Sequence, residues 1–134
     1  LINDVDIVLD GTDNVESHFE INKACVECHK PLISAAVIRF DGQIYVFKGY
    51  EVGPPCYQCI YSEQGDSRES CVENGVLAPV AGLVGTIQAL QAIKVLLGLG
   101  AQLCGELLLI DGLDLSFRKV KIAKYSECTI CCLN

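Results

Sequence analysis

Nine of the 134 residues are cysteines, and four of them stand as two C-x-x-C pairs, Cys56-Tyr57-Gln58-Cys59 and Cys128-Thr129-Ile130-Cys131. A C-x-x-C turn lets two sulfurs reach one metal at about 2.3 Å, and a second such turn completes the tetrahedral four-thiolate shell of a structural zinc. A closed shell leaves no position for water or substrate, so the expected role is to hold structure. The alternative is four buried thiols that bind nothing. The long interval between the pairs is unlike the spacing within a zinc finger and predicts a clip across a whole domain. Cys132 directly follows Cys131, which leaves the last ligand ambiguous by one residue.

Three further groups could carry chemistry. Asp13 and Asn14 follow a short apolar run at 5–9 that reads as a buried strand, and in parallel sheets ligands sit beyond the carboxyl ends of the strands. Asp13 with Glu16 three residues on also fits a capping box that only starts a helix, so both readings stay open. Cys71 stands in the most polar stretch, residues 61–75, which reads as an exposed, mobile loop. Arg68 and a helix beginning just beyond favour its thiolate, and Glu69 and Glu73 oppose it. Cys25-Val26-Glu27-Cys28 forms a third C-x-x-C, but in the last turns of a helix. A redox thiol is favoured at a helix N-terminus, so packing is the expected role, and a thiol redox protein would require a low thiol pKa. His18 and His29 read as surface or satisfied helix residues rather than ligands.

These residues must be positioned by a mixed set of elements. A helix is predicted from Val15 to the stop at Lys30-Pro31. β-rich runs at 32–38 and 43–47 flank Asp41-Gly42 and predict an antiparallel hairpin turning there. Gly53-Pro54-Pro55 breaks the second run and delivers the first cysteine pair. A long apolar helix follows at 77–99, with Pro79 in its first turn, and runs at 106–110 and 115–122 make a second hairpin around Asp111-Gly112. Residues 76–101 are apolar enough to raise a membrane span. Gln88, Gln91 and Lys94 inside the run favour a helix buried in a core or a subunit interface instead. Hydrophobic residues make up 51% of the chain and the net charge is −7. No basic run exceeds Arg118-Lys119-x-Lys121, which argues against a nucleic-acid surface. The many cysteines without an export signal near Leu1 predict a reducing, cytoplasmic setting. A start at Leu1 reads as mid-protein.

Together, Leu9-Asp10-Gly11-Thr12-Asp13-Asn14, Pro31-Leu32-Ile33-Ser34-Ala35-Ala36, Asp41-Gly42-Gln43, the first cysteine pair, Ser70-Cys71-Val72-Glu73-Asn74-Gly75-Val76, Gly85-Thr86-Ile87-Gln88-Ala89-Leu90-Gln91-Ala92-Ile93-Lys94 and Cys128-x-x-Cys131 occur in this order. The chain so resembles, end to end, the ThiF/MoeB/HesA family of ubiquitin-activating-enzyme-like adenylyltransferases. The resemblance implies an α/β, Rossmann-like fold, here its C-terminal part: a mixed sheet, parallel then antiparallel, a long buried helix and a four-cysteine zinc clip, as one domain over residues 1–134. It implies adenylation, with ATP and magnesium, of the C-terminal glycine of a ubiquitin-like sulfur-carrier protein for molybdopterin or thiamine biosynthesis or tRNA thiolation. Asp13 and Asn14 would contact nucleotide and magnesium, Cys56, Cys59, Cys128 and Cys131 would hold zinc, Cys71 would take the carrier covalently, and the protein would be a homodimer. The family's Gly-rich phosphate loop belongs to an N-terminal half that this chain lacks, so the chain alone is expected to be inactive. A different class of reading is a zinc-stapled scaffold that binds a ubiquitin-like partner, or dimerises, without catalysis.

Overall fold

A computed structural model describes residues 1–61 and 75–132. Five strands, β1 (Val8–Asp10), β2 (Leu32–Ile38), β3 (Asp41–Phe47), β4 (Glu106–Asp111) and β5 (Ser116–Lys121), form one sheet in sequence order. β1 pairs parallel to β2, and every later pair is antiparallel. The sheet is thus mixed in the order expected, parallel and then antiparallel.

Alternation along the strands builds a core on each face. Ile33, Ala35, Ile44, Val46, Leu108 and Ile110 point to one face, where the long helix α3 (Ala78–Leu97) covers them with Val80, Val84 and Ala92. Leu32, Tyr45, Phe47 and Leu107 point to the other, where they meet Phe19 and Cys25 of α1 (Val15–Glu27) and Tyr57 of the one-turn helix α2 (Tyr57–Ile60). This is the two-sided cover that a parallel strand pair requires, since its short β1–β2 crossover is α1 itself.

The helix ends follow the chain's local chemistry. Asn14, not Asp13, caps α1: its side chain accepts from Ser17 N at 2.8 Å. The helix start expected at Asp13 with Glu16 is therefore displaced by one residue, to Asn14 with Ser17. At the far end His29 adopts φ 54, and the bonds Lys30 N to Cys25 O and His29 N to Val26 O close the paired 6→1 and 5→2 pattern that terminates a helix. Pro79 lies in the first turn of α3, and Gly98 at φ 63 ends it.

The first hairpin turns two residues earlier than expected. Ile38 pairs with Asp41 and Val37 with Gly42, so the turn is Arg39-Phe40, with Arg39 at φ 55. Gly42 lies inside the ladder for a different reason: a Cβ there would fall 2.4 Å from Val84 Cγ2 of α3. Its sequence signal came from close helix–sheet approach rather than from turn chemistry. Asp111-Gly112 does turn the second hairpin, with Asp111 Oδ1 accepting from Leu113 N and Asp114 N.

The long helix is buried along one side only. Val80, Val84, Gln88, Gln91 and Ala92 face the sheet, while Leu90, Ile93, Leu96 and Leu97 are each more than half exposed. By length and composition it could cross a membrane, yet both glutamines bond into the fold: Gln88 Nε2 donates to the carbonyls of Asp10 and Ile33, and Gln91 Oε1 accepts from Leu103 N.

Because the Val84 side chain is β-branched and fixed at χ1 in a helix, Gly42→Ala is expected to push α3 off β3 and destabilise the domain by about 1–3 kcal/mol, the usual cost of overpacking. Urea unfolding of the two proteins measures it, and an unchanged midpoint would show that α3 yields freely.

Candidate functional site

The first cysteine pair lies just past Gly53-Pro54-Pro55, with Cys56 at the N-cap of α2 and Cys59 within it. The second lies in the irregular segment after β5, where Cys128 N bonds to Tyr125 O. Their sulfurs converge: Cys56 to Cys59 4.0 Å, Cys56 to Cys128 3.7 Å and Cys59 to Cys131 3.4 Å, all four within 4.8 Å of one another. A tetrahedron of sulfurs about 2.3 Å from a common ion has edges of about 3.8 Å, so the set matches a closed four-thiolate site. The separations are far above the S–S bond of about 2.0 Å, and the pairs are not disulfides. Cys132 stands apart, its thiol donating to Tyr125 O at 3.1 Å, and the sulfur that joins the other three is that of Cys131.

The protons of this cluster are unevenly shared. The hydrogen bond from the Cys56 thiol brings Cys59 down to about 4 against the opposing effect of burial. That same bond, then burial, drives Cys56 up, with Asn22 acting in the opposite direction. Burial and then the bonds to Cys59 and Cys128 push Cys131 up to about 12. Four thiolates in this space therefore need a cation, and a divalent ion of the zinc type suits four soft donors.

The chain supports the cluster with its own groups. Lys124 Nζ donates to the carbonyls of Gly49, Glu51 and Cys131, joining the loop after β3 to the second pair. Gln58 Nε2 donates to Thr129 Oγ1, joining one pair to the other. A Cβ on Gly49 would lie 2.5 Å from Cys56 Cβ, so only glycine lets that loop lie against Cys56.

The second candidate site is the carboxyl end of β1. Asp10 is 1% exposed. Its Oδ1 accepts from Thr12 N and Thr12 Oγ1, and its Oδ2 lies 2.5 Å from His18 Nδ1. Burial raises the Asp10 pKa, but the His18 hydrogen bond, the Thr12 backbone and the His18 charge outweigh it and hold the carboxyl below its ordinary value. This pairing fixes the turn from which Asp13 and Asn14 emerge, both exposed, at the place the parallel strand predicted. His18 is thus a satisfied helix residue, as its sequence context suggested. Cys71 lies outside the described residues. Cys25, 2% exposed and raised to about 12 by burial, then by Cys28 and Asp10, is a packing thiol rather than a redox nucleophile.

Two residues that sequence reasoning left unassigned connect the sites. The Tyr57 ring, between Cys56 and Cys59 in sequence, stacks on His18 with centroids 5.3 Å apart, and Tyr57 N donates to Asn22 Oδ1 at 2.9 Å. Only the i, i+4 spacing of His18 and Asn22 on one face of α1 hinted at this. Asp10 stood in the motif that carried Asp13, but nothing in the sequence told which carboxylate is buried.

The profile of the ThiF family matches residues 1–130. The chain is 41% identical over 131 residues to the molybdopterin-synthase adenylyltransferase of Escherichia coli (strain K12), covering 98% of this chain and 52% of that protein. It is 42% identical over 134 residues to the adenylyltransferase and sulfurtransferase MOCS3 of Drosophila persimilis, covering 98% of this chain and 29% of that one. Among solved structures, E. coli MccB with ATP superposes with a TM-score of 0.74 over 94% of this chain and 40% of that one at 18% identity, a likeness of fold. The chain spans about half the length, or less, of the curated relatives it matches.

Zinc supplied to the reduced protein is expected to bind at one ion per chain. Cys131→Ser should abolish tight retention, and Cys132→Ser should leave it unchanged, as read by metal analysis after chelator washing. Equal loss in both variants would assign the last ligand wrongly.

Proposed function

The chain belongs to the ThiF family, and from that premise we propose that it is the C-terminal portion of a single adenylyltransferase domain, acting on the C-terminal glycine of a ubiquitin-like sulfur-carrier protein in molybdopterin or thiamine biosynthesis or tRNA thiolation. The observation that carries this reading is the placement of Asp13 and Asn14 at the end of the parallel strand β1, in a chain that shares about two-fifths of its residues with adenylyltransferases of named activity. Adenylation joins a carrier carboxylate oxygen to the α-phosphorus of ATP and releases pyrophosphate, bringing together groups that are all negative. An exposed carboxylate here can hold a magnesium ion, which would neutralise phosphate charge during that displacement. Asn14 spends its side-chain oxygen on the helix cap and keeps its amide for a nucleotide. The rest of the ATP site falls to a segment N-terminal to Leu1, and the chain by itself is expected to be inactive.

In this reading the four cysteines hold zinc as a structural ion, and Cys71 supplies a thiol for the activated carrier. The protein works in the cytoplasm as a homodimer, without nucleic acid or membrane. The exposed leucines and isoleucine on the outer side of α3, together with Phe117 on β5, 51% exposed, support a second copy as the cover for that surface.

The full-length protein carrying Asp13→Ala should lose ATP–pyrophosphate exchange by at least about 100-fold, with stability within about 0.5 kcal/mol of the parent because Asn14 remains the cap. Cys71→Ala, assayed alongside, should keep exchange and lose sulfur transfer. Exchange surviving without Asp13 would leave Asp13 no part in adenylation, absence of exchange in the parent would favour the scaffold reading, and undiminished transfer would leave Cys71 an ordinary residue. Sedimentation at micromolar concentration should give a dimer, which Leu97→Glu on the outer face of α3 dissociates; a wild-type monomer would contradict the assembly.

A further inference from the structure

Asn22 lies one turn beyond His18 on α1 and is 1% exposed. Its orientation is fixed by Tyr57: a backbone N–H can only donate, so the atom it meets at 2.9 Å must be Oδ1, and the NH2 group points the other way. That nitrogen, Nδ2, is buried and completes no hydrogen bond of ordinary geometry. Its neighbour is Cys56, next to Tyr57 in sequence and 0% exposed, which packs in one cluster with Val26, one turn beyond Asn22 on the same face of α1. A buried donor without an acceptor destabilises the fold that holds it. A neutral thiol is a poor acceptor, whereas a thiolate is a good one, so loading the cluster supplies what the amide lacks.

We propose that the Asn22 amide donates an N–H···S hydrogen bond to the Cys56 thiolate of the metal-loaded clip, so that α1 positions and stabilises the metal centre. The inference rests on the four-cysteine site binding a metal. Four thiolates around a divalent ion leave two net negative charges in a buried place, and a donor on one sulfur withdraws part of that charge. Asn22 holds the knuckle twice: Oδ1 takes the backbone N–H of Tyr57, and Nδ2 takes the sulfur immediately before it. The same helix begins at Asn14 and pairs with Asp10 through His18, so the bond makes the metal a support for the β1–α1 turn.

The test uses the reduced chain, isotopically labelled with nitrogen-15 and loaded either with a spin-active cadmium isotope or with a spin-silent one. One Asn22 side-chain amide proton should move downfield on loading and show a splitting only with the spin-active isotope. Asn22→Asp keeps an acceptor for Tyr57 but places an oxygen against the sulfur. Metal affinity in that variant should fall about 10- to 100-fold, and the cobalt-loaded protein should show its thiolate-to-metal band at longer wavelength, because the sulfur electrons are less well held. Cadmium bound at one ion per chain with an unmoved, unsplit Asn22 amide would overturn the proposal while leaving the metal site standing. Failure of the parent chain to take up any metal would remove both.

Discussion

Four sulfurs within 4.8 Å are a like-charge problem before they are a ligand set. Left to themselves they settle it by sharing protons, one thiol low and its neighbours high, and the C-terminal pair would have little reason to remain on the first. The residues after β5 form no helix or strand up to residue 132, so the backbone ladder does not hold them. Closing the 72-residue interval between paired sulfurs costs about 4 kcal/mol of chain entropy by the loop-closure relation. A structural zinc in finger peptides contributes about 10–16 kcal/mol. The Gln58–Thr129 bond and the three carbonyls on Lys124 each contribute about 1–3 kcal/mol at best, so a bound ion would be the dominant closure and they the guides.

What the closure holds in place is reached through few contacts. Tyr57 lies between two cysteines of the cluster, and its ring packs against His18, Phe19 and Phe47. His18 in turn holds the buried Asp10 carboxylate at the end of β1. From the opposite face of the sheet, Gln88 donates to the Asp10 carbonyl, so side chain and main chain of one residue are fixed by different helices. The turn carrying Asp13 and Asn14 therefore emerges from a rigid base, although both residues are exposed. A site built on such a base can present a carboxylate without burying it, which spares the desolvation that an isolated buried charge would suffer.

Much of this was legible in the sequence because the features that set it are local. The β1 run, the α1 stop at Lys30-Pro31, the two hairpins and the C-x-x-C turns each depend on a few adjacent residues, and spacing alone predicted that four sulfurs would meet. The parts that were not legible depend on partners far along the chain. Gly42 looked like a turn residue because Asp-Gly favours one, but its role is set by Val84 more than forty positions away. Asp13 looked like the cap, and the helix begins one residue later because Asp10 turns inward to His18 and Thr12. Asn22 carried only its helical spacing from His18 as a signal, since its partner Tyr57 comes from another element. Cys131 and Cys132 could not be separated until the Tyr125 carbonyl was seen to take the second thiol.

The long helix shows most clearly why composition and packing must be read together. Its sheet-facing side carries two glutamines among Val80, Val84 and Ala92, and its outer side carries leucine and isoleucine where an ordinary surface helix is polar. Hydropathy averaged over the segment cannot see this inversion and reads a membrane span. The hydrogen bonds of Gln88 and Gln91 can see it: each amide satisfies backbone groups of the sheet edge or the following loop, which a lipid-embedded helix would have no occasion to do. The two glutamines thus belong to this domain's interior, and the apolar outer side stays exposed in the single chain. An apolar surface so placed adds nothing to the fold that presents it, which is the physical ground on which a second copy is proposed as its cover.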